Sequence, residues 1–144
     1  MATFNLLPNG VTGTNQWKSP SHGACAASNV DSDDGSTDYC YETTNSHEVS
    51  FTLADPSITS GAIDSITSVQ LIVSGKYIAL SGNMTMRVYK TGTGIAVLSD
   101  EHTFSSGGVD YTTKTGTAWT TGGLGAWTYS NLENLLIPIE GCTL

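Results

Sequence analysis

Segment 31–44, DSDDGSTDYCYETT, holds four aspartates within eight positions and is the first place to look for chemistry. Clustered carboxylates can ligate a hard cation such as Ca²⁺, or they can exchange protons in an active site. The calcium candidates of this segment are Asp31, Asp33, Asp34 and Asp38.

The spacing of these aspartates does not fit an EF-hand. Such a loop has oxygen ligands at positions 1, 3, 5 and 12 and a glycine at position 6. Counted from Asp31, position 5 is Gly35, which has no side chain, and position 6 is Ser36. No helical pattern flanks the loop. A calcium site of another kind stays open, because a hard cation accepts any cage of oxygens.

A catalytic role is disfavoured for the same cluster. A working pair of carboxylates needs one group in an apolar pocket and one in water, whereas a Ser- and Gly-rich loop leaves all of them solvated. The three histidines, His22, His47 and His102, are scattered with no spacing that links them into a metal site. We therefore predict no catalytic residue, metal or cofactor, and we interpret DSDDGSTD as a turn, where aspartates cap their own backbone.

The elements that must carry these residues are strands. Alternating apolar and polar positions predict four of them, and the predicted helix content is nil. The four strands are 48–54, 66–73, 83–90 and 134–140, and weaker candidates are 37–43, 76–80, 94–104, 109–115 and a short one near 3–7. The predicted core is Phe51, Leu53, Val69, Leu71, Met86, Val88, Leu135 and Ile137.

About eight short strands separated by Gly-rich turns predict one all-β domain over residues 1–144, an antiparallel, jelly-roll-like sandwich. Residues 1 to about 30 are expected to form an extended arm and loop, because the strand pattern is weakest there. Pro138 falls within the last strand and predicts an edge strand or a bulge, since proline cannot donate to a sheet.

The charge balance excludes some partners. The chain has 5 Lys and Arg against 13 Asp and Glu, a net charge of −8. We expect no nucleic acid and no anionic membrane as a partner, because both need clustered basic residues. The N-terminus has neither a basic region nor a long apolar stretch, so we predict synthesis in a cytoplasm without a signal peptide.

The three cysteines, Cys25, Cys40 and Cys142, form no CxxC pair and are odd in number. We expect buried or idle thiols rather than a disulfide framework. Pairing of Cys25 with Cys40 in an oxidising setting is the alternative.

The order of features along the chain has a counterpart in viruses. Trp17 follows LLPNG, VDSDDGSTDY spans 30–39, and MRVYK spans 86–90. The other features are FTLAD at 51–55, ITSVQ at 66–70 and AWTYSNLENLLIPIE at 126–140. Together, over about residues 7–139, they resemble a β-sandwich domain of tailed-bacteriophage virions. That domain is found in small jelly-roll decoration (cement) proteins and in related modules of head fibres and tail proteins.

The resemblance implies a structural protein on the capsid surface rather than an enzyme. Its expected partners are the major capsid protein and further copies of itself, as a dimer or trimer, and its place of synthesis is the bacterial cytoplasm. Aromatic anchors dominate many interfaces, so the interface candidates are Trp17, Trp119, Trp127 and Tyr129. The alternative for the tryptophans is that each one plugs an end of the sandwich.

A second function class stays open beside decoration, namely a carbohydrate-binding or adhesive module of a head fibre or tail fibre. The chain begins at Met1 and ends about four residues after its last strand-like run, which favours a free-standing decoration subunit. A jelly-roll hydrolase is the least favoured class, because no acid–base pair can be named.

Overall fold

The described part of the chain folds mainly into antiparallel β-strands. A computed structural model describes residues 5–21, 23–30, 39–44, 46–54, 61, 64–78, 83–92, 95–107 and 110–143. The strands are β1 (Pro8–Asn15), β2 (His47–Leu53), β3 (Ile72–Gly75), β4 (Asn83–Gly92), β5 (Ile95–Ser105), β6 (Thr112–Thr115) and β7 (Leu136–Thr143). A 3-10 turn at Ala27–Asn29 and one short helix, α1 (Tyr129–Glu133), complete the elements. The all-β, antiparallel prediction is confirmed.

Five strands form the larger sheet, in the order β1-β2-β7-β4-β5, and β3 and β6 form a second sheet of two strands. The central pair is β2 and β7, where Val49 lies opposite Ile139 and Phe51 lies opposite Ile137. Opposed residues share a face, so this pairing gathers the apolar positions of both strands on one side of the sheet.

That apolar side is the core of the molecule. Its buried members are Trp17, Cys25, Val49, Phe51, Phe104, Trp127, Leu132, Leu135 and Ile137. Val69, Leu71 and Val73, from β3 and the segment before it, pack against them. Burial of one large apolar side chain contributes about 2 kcal/mol, so this cluster dominates the stability of the fold. The predicted core positions Met86 and Val88 lie in β4, and their side chains are not among those that the structure describes.

Three strand predictions are close to the observed bounds: 48–54 is β2, 83–90 is β4 and 94–104 is β5. The prediction for 134–140 began too early, because residues 129–133 form α1 and β7 starts only at Leu136. Thr128 caps this helix, accepting a hydrogen bond from the Asn131 backbone N–H, and the Asn131 side chain accepts one from the Thr128 N–H. Five residues are too few to show a helical period, so the sequence did not reveal α1.

The prediction of a strand at 66–73 was largely wrong. Val69 forms an isolated bridge to Trp119, and regular pairing begins only at Ile72. Of the weaker candidates, 109–115 forms only the shorter strand β6. In the candidate 37–43, Tyr41 forms a single bridge to Lys18, and in the candidate 76–80, residues 76–78 form no strand. Residues 31–38, 79–80 and 108–109 lie outside the described part of the chain.

The prediction of an extended N-terminal arm was also wrong in part. Residues 8–15 form β1, the edge strand beside β2, and Val11 lies opposite Phe51. No strand covers residues 5–7. Asn15 donates from its side-chain amide to the Cys25 carbonyl at 2.8 Å, which ties the end of β1 to the next turn of chain. The sequence hid this strand because Gly10, Gly13 and two asparagines interrupt its apolar alternation.

Pro138 is not on an edge, since β7 lies between β2 and β4. The pairing with β2 is continuous through Pro138, which lies opposite Ser50. β7 also pairs with β4, in a single register that includes Met84 to Val88 and Thr91 of β4. Residues 89 and 90 of β4, which lie between these pairs, have no partner in β7. The missing proline N–H is thus accommodated by a local gap in one ladder of a central strand.

Cys25 and Cys40 form a disulfide, with their Cα atoms 5.4 Å apart. The expectation of idle thiols is therefore corrected for these two residues, and the alternative pairing is the observed one. Lys18 explains their approach, because its backbone bridges both Ala24 and Tyr41, each next to one of the cysteines.

Candidate functional site

Two of the four predicted interface aromatics belong to the core. The Trp17 side chain is 6% exposed and the Trp127 side chain is 4% exposed. Trp17 Nε1–H donates to the His47 carbonyl at 2.9 Å, and Trp127 Nε1–H donates to the Trp119 carbonyl at 2.8 Å. Both indoles are thus packed and hydrogen-bonded inside the fold. Trp119 and Tyr129 are half-buried.

Residues 119–127, WTTGGLGAW, form a loop that we call the tryptophan loop. At its base, Trp119 and Val69 exchange both backbone hydrogen bonds, at 2.9 and 3.0 Å. Near its tip, Thr121 bridges to Ala126, and the Gly122 N–H donates to the Gly125 carbonyl at 2.8 Å. The buried indole of Trp127 donates its N–H to the Trp119 carbonyl at this base. The loop is therefore held at both ends by hydrogen bonds.

Glycine permits the tight tip of this loop. Gly123 has φ 82° and Gly125 has φ 155°, conformations that favour glycine over other residues. Gly122 is buried, and a Cβ at this position would lie 3.7 Å from the Trp127 ring. The backbone thus lies close over the indole and leaves Leu124 between Gly123 and Gly125, with 73% of its surface exposed.

The sequence indicated the GGLGAWTY loop and the long N-terminal segment as contact surfaces, but the interface residues predicted for the loop were its aromatics and not Leu124. A single exposed leucine is ordinary on a protein surface. Here, however, the chain carries no charged residue from Thr115 to Leu132, and the loop that presents Leu124 is pinned. Interface cores are depleted of charge, and a pre-organised loop loses little entropy on binding. The signal in the sequence was the pattern GGLG between two tryptophans in an uncharged run.

The sheet edges are a second kind of contact surface. Within the described strands, β1 pairs only with β2, and β5 pairs only with β4. An edge strand presents backbone N–H and C=O groups that can pair with another chain. The ladder of β1 has two irregularities, at Pro8/Gly10 and at Thr12/Asn15, whereas β5 is regular against β4 as far as Lys90. The regular edge of β5 is the better suited to strand addition.

A polar cluster lies over Gly141 of β7, but it does not form a catalytic site. The Glu42 side chain covers this glycine, and the Thr44 N–H donates to its carboxylate at 2.5 Å. Burial raises the pKa of Glu42, while the Thr44 hydrogen bond and the nearby His47 partly oppose that rise. The partly buried carboxylate is thus easier to protonate than an exposed one.

His47 and His102 are held apart by the sheet. They lie at the two ends of one cross-strand row, with Gly141 and Met86 between them. Three strand spacings separate their backbones by about 14 Å, too far for both to act on one small group. His102 is buried, and its Nε2 atom has no hydrogen-bond partner within the described residues.

The predicted calcium candidates Asp31, Asp33, Asp34 and Asp38 lie outside the described residues, as does His22. Within the described ranges, no three His, Cys, Asp or Glu side chains come together as a metal-binding group. None of the helices described is long and apolar enough to cross a membrane.

A cleft of about 250 Å³ lies where the end of β5 faces the second sheet. Phe104 and Tyr77 contribute its apolar surface, while Ser106 and Asp110 contribute polar groups. Lys76 and Lys114 also line the cleft, which thus combines two cations with aromatic rings and hydroxyl-bearing residues.

The chain matches no protein-family model, no curated protein and no solved structure.

Proposed function

We propose that this protein is a bacteriophage capsid decoration protein, which binds the shell of the major capsid protein and stabilises it without any catalytic step. The observation that carries the proposal is the rigid, uncharged tryptophan loop with Leu124 exposed at its tip. In this proposal the two sheets form an antiparallel, jelly-roll-like sandwich, and the protein is located on the surface of the virion.

The chemistry of the loop supports docking onto a protein rather than onto a charged polymer. Burying one leucine side chain contributes on the order of 2 kcal/mol. The neighbouring Thr120 and Thr121 are exposed and can donate hydrogen bonds at the rim of such a contact. Attachment should therefore persist at high salt, since salt mainly screens exposed charge pairs.

The position of β5 at the edge of the described sheet supports a second component of attachment, the addition of a strand. The added strand would come from the shell or from a neighbouring copy, which would give the proposed dimer or trimer on the capsid. Many identical sites on a symmetric shell then stabilise the assembled state by mass action.

The alternative function is a carbohydrate-binding or adhesive module of a head fibre or tail fibre. The cleft lined by Tyr77, Asp110 and several hydroxyls favours it, because sugar sites combine an aromatic surface with hydrogen-bonding groups.

Co-sedimentation distinguishes the two functions. Purified shells are mixed with the protein in low and high salt, and bound protein is measured in the pellet. We expect saturable binding in both buffers. Failure to bind shells, together with retention on a polysaccharide column, would overturn the decoration proposal in favour of the adhesive module.

A further inference from the structure

The cleft beside β5 concentrates positive charge in an acidic protein. The chain has only five basic residues and a net charge of −8, yet two of those five, Lys76 and Lys114, line this one cleft. A chance surface of this protein would instead be acidic, so the local charge points to an anionic ligand.

Lys114 is not an ordinary surface lysine. It lies in β6 opposite Val73 of β3, and Val73 packs against the core, so Lys114 shares the inward face of the second sheet. Its side chain is half-buried, and its Nζ atom lies 5.8 Å from the centre of the buried Phe104 ring. The ammonium is thus held between the two sheets at the cleft wall.

Lys76 also lines the cleft and lies close to an aromatic ring. Its Nζ atom lies 4.7 Å from the centre of the Tyr111 ring, within the range of a cation–π contact. Neither lysine has a hydrogen bond or ion pair to a carboxylate among the described residues. Two half-buried cations that have no carboxylate partner among the described residues can bind an anion.

The rest of the lining defines what the anion is attached to. Asp110 also lines the cleft, and so do Ser106 and Thr112, whose side chains carry hydroxyl groups. A carboxylate at this position repels a dianion such as phosphate more strongly than a monoanion, and it accepts hydrogen bonds from ligand hydroxyls. The ligand therefore combines a single negative group with several hydroxyl donors. Ligand pockets for larger molecules start at about 300 Å³, so a volume of about 250 Å³ suits one sugar ring.

We propose that this cleft binds a carboxylate-bearing sugar residue, with the carboxylate between Lys76 and Lys114, the hydroxyls on Asp110 and the serine and threonine side chains, and the ring against Tyr77. The shared chemistry is a carboxylate on a polyhydroxylated ring, whether it comes from a hexuronic acid or from a sialic acid. This site is distinct from the tryptophan loop, and its existence does not depend on binding to capsids.

The test is a titration of the isotope-labelled full chain, followed by amide chemical shifts, with galacturonate, glucuronate, N-acetylneuraminate, galactose and inorganic phosphate. Galacturonate and galactose differ only in the carboxylate, so they form a matched pair. We expect a Kd on the order of 1 mM for at least one acidic sugar, with at least about tenfold weaker binding of galactose. The acidic sugar that binds best shows whether the site is suited to a hexuronic acid or to a sialic acid.

The variants Lys114→Met and Lys76→Met keep the aliphatic length of the side chains and remove one charge each. Each is expected to weaken binding of the acidic sugar at least about tenfold. The control is Lys18→Met, which changes the net charge equally at an exposed position outside the cleft. Thermal melting verifies that each variant is folded, and Lys76→Met carries the test if Lys114→Met does not fold.

Several results would overturn the proposal. They are equal binding of galactose and galacturonate, tighter binding of phosphate than of any sugar, no binding of any acidic sugar, and an equal loss in the Lys18→Met control. The last result would mean that overall charge, and not the cleft, attracts the ligand.

Discussion

Trp17 and Trp127 each donate an indole N–H to a backbone carbonyl that belongs to another part of the chain. Trp17 joins the N-terminal segment to the start of β2, and Trp127 joins the two ends of the tryptophan loop. Neither their residue type nor their position outside the predicted strands indicated whether these two tryptophans are buried or exposed. What distinguishes them is the partner of each N–H, which depends on the folded register.

Trp127→Phe should destabilise the protein and disturb the tryptophan loop, because the Trp119 carbonyl loses one of its two donors and keeps only the Val69 N–H. One such hydrogen bond contributes about 0.5–1.5 kcal/mol, which thermal unfolding can measure. Trp17→Phe is the matched control, since it removes an equivalent hydrogen bond from the His47 carbonyl. Both variants should melt earlier, but only Trp127→Phe should also weaken shell binding. Equal shell binding by the two folded variants would show that the tryptophan loop does not take part in attachment to the shell.

Glu42 should make stability depend on pH. Burial raises its pKa in the folded state, so between the unfolded and the folded pKa the folded protein binds more protons than the unfolded chain. Its contribution is therefore most favourable below the unfolded pKa, about 4.3, and is lost as the pH rises through the folded value.

Glu42→Gln stays neutral and can still accept the Thr44 N–H, so it should stabilise the protein more at about pH 7 than at about pH 4. The melting temperatures of variant and parent across this range measure the effect, with the exposed Glu133→Gln as the control. A Glu42→Gln gain that is equal at both pH values would contradict the effect of burial on this carboxyl group.

At the scale of elements, the strands that the sequence predicted well are those whose alternation is uninterrupted. Segments 48–54 and 94–104 are examples, and both became long, paired strands. β1 was missed because its stability comes from pairing with β2 and not from its own glycine-containing sequence. Likewise, 66–73 looks like a strand because Val69, Leu71 and Val73 face the core, although only its last two residues are in β3.

The Cys25–Cys40 disulfide closes the chain between β1 and β2, and its sequence separation is 15 residues. A cross-link of this span stabilises the folded state by about 3 kcal/mol, chiefly by restricting the unfolded chain. Reduction should therefore lower the melting temperature by about 6 to 12 °C in a domain of this size. The variant with both Cys25→Ser and Cys40→Ser should melt at the lower temperature and be indifferent to reductant. An unchanged parent under full reduction would show that the bond contributes nothing to stability.

At the scale of the whole molecule, charge and apolar surface are unevenly placed. The chain has a net charge of −8, while the stretch from Thr115 to Leu132 has no charge at all. The sequence predicted the all-β class and the acidic character. The way in which this uncharged stretch wraps around Trp127 could not be predicted, because it depends on the isolated bridge between Val69 and Trp119.

The central proposal is that this uncharged loop attaches the protein to a capsid shell, and the number of copies bound per shell at saturation tests it most directly. Leu124→Ser is compared with Ile78→Ser, because both leave the core intact and the two side chains are similarly exposed, at 73% and 78%. We predict that the parent and Ile78→Ser saturate shells at the same fixed stoichiometry in low and high salt. Leu124→Ser should need at least about tenfold more protein to do so, given the loss of one buried leucine. Parent protein that fails to saturate shells, or equal loss of binding in the two variants, would contradict the proposal.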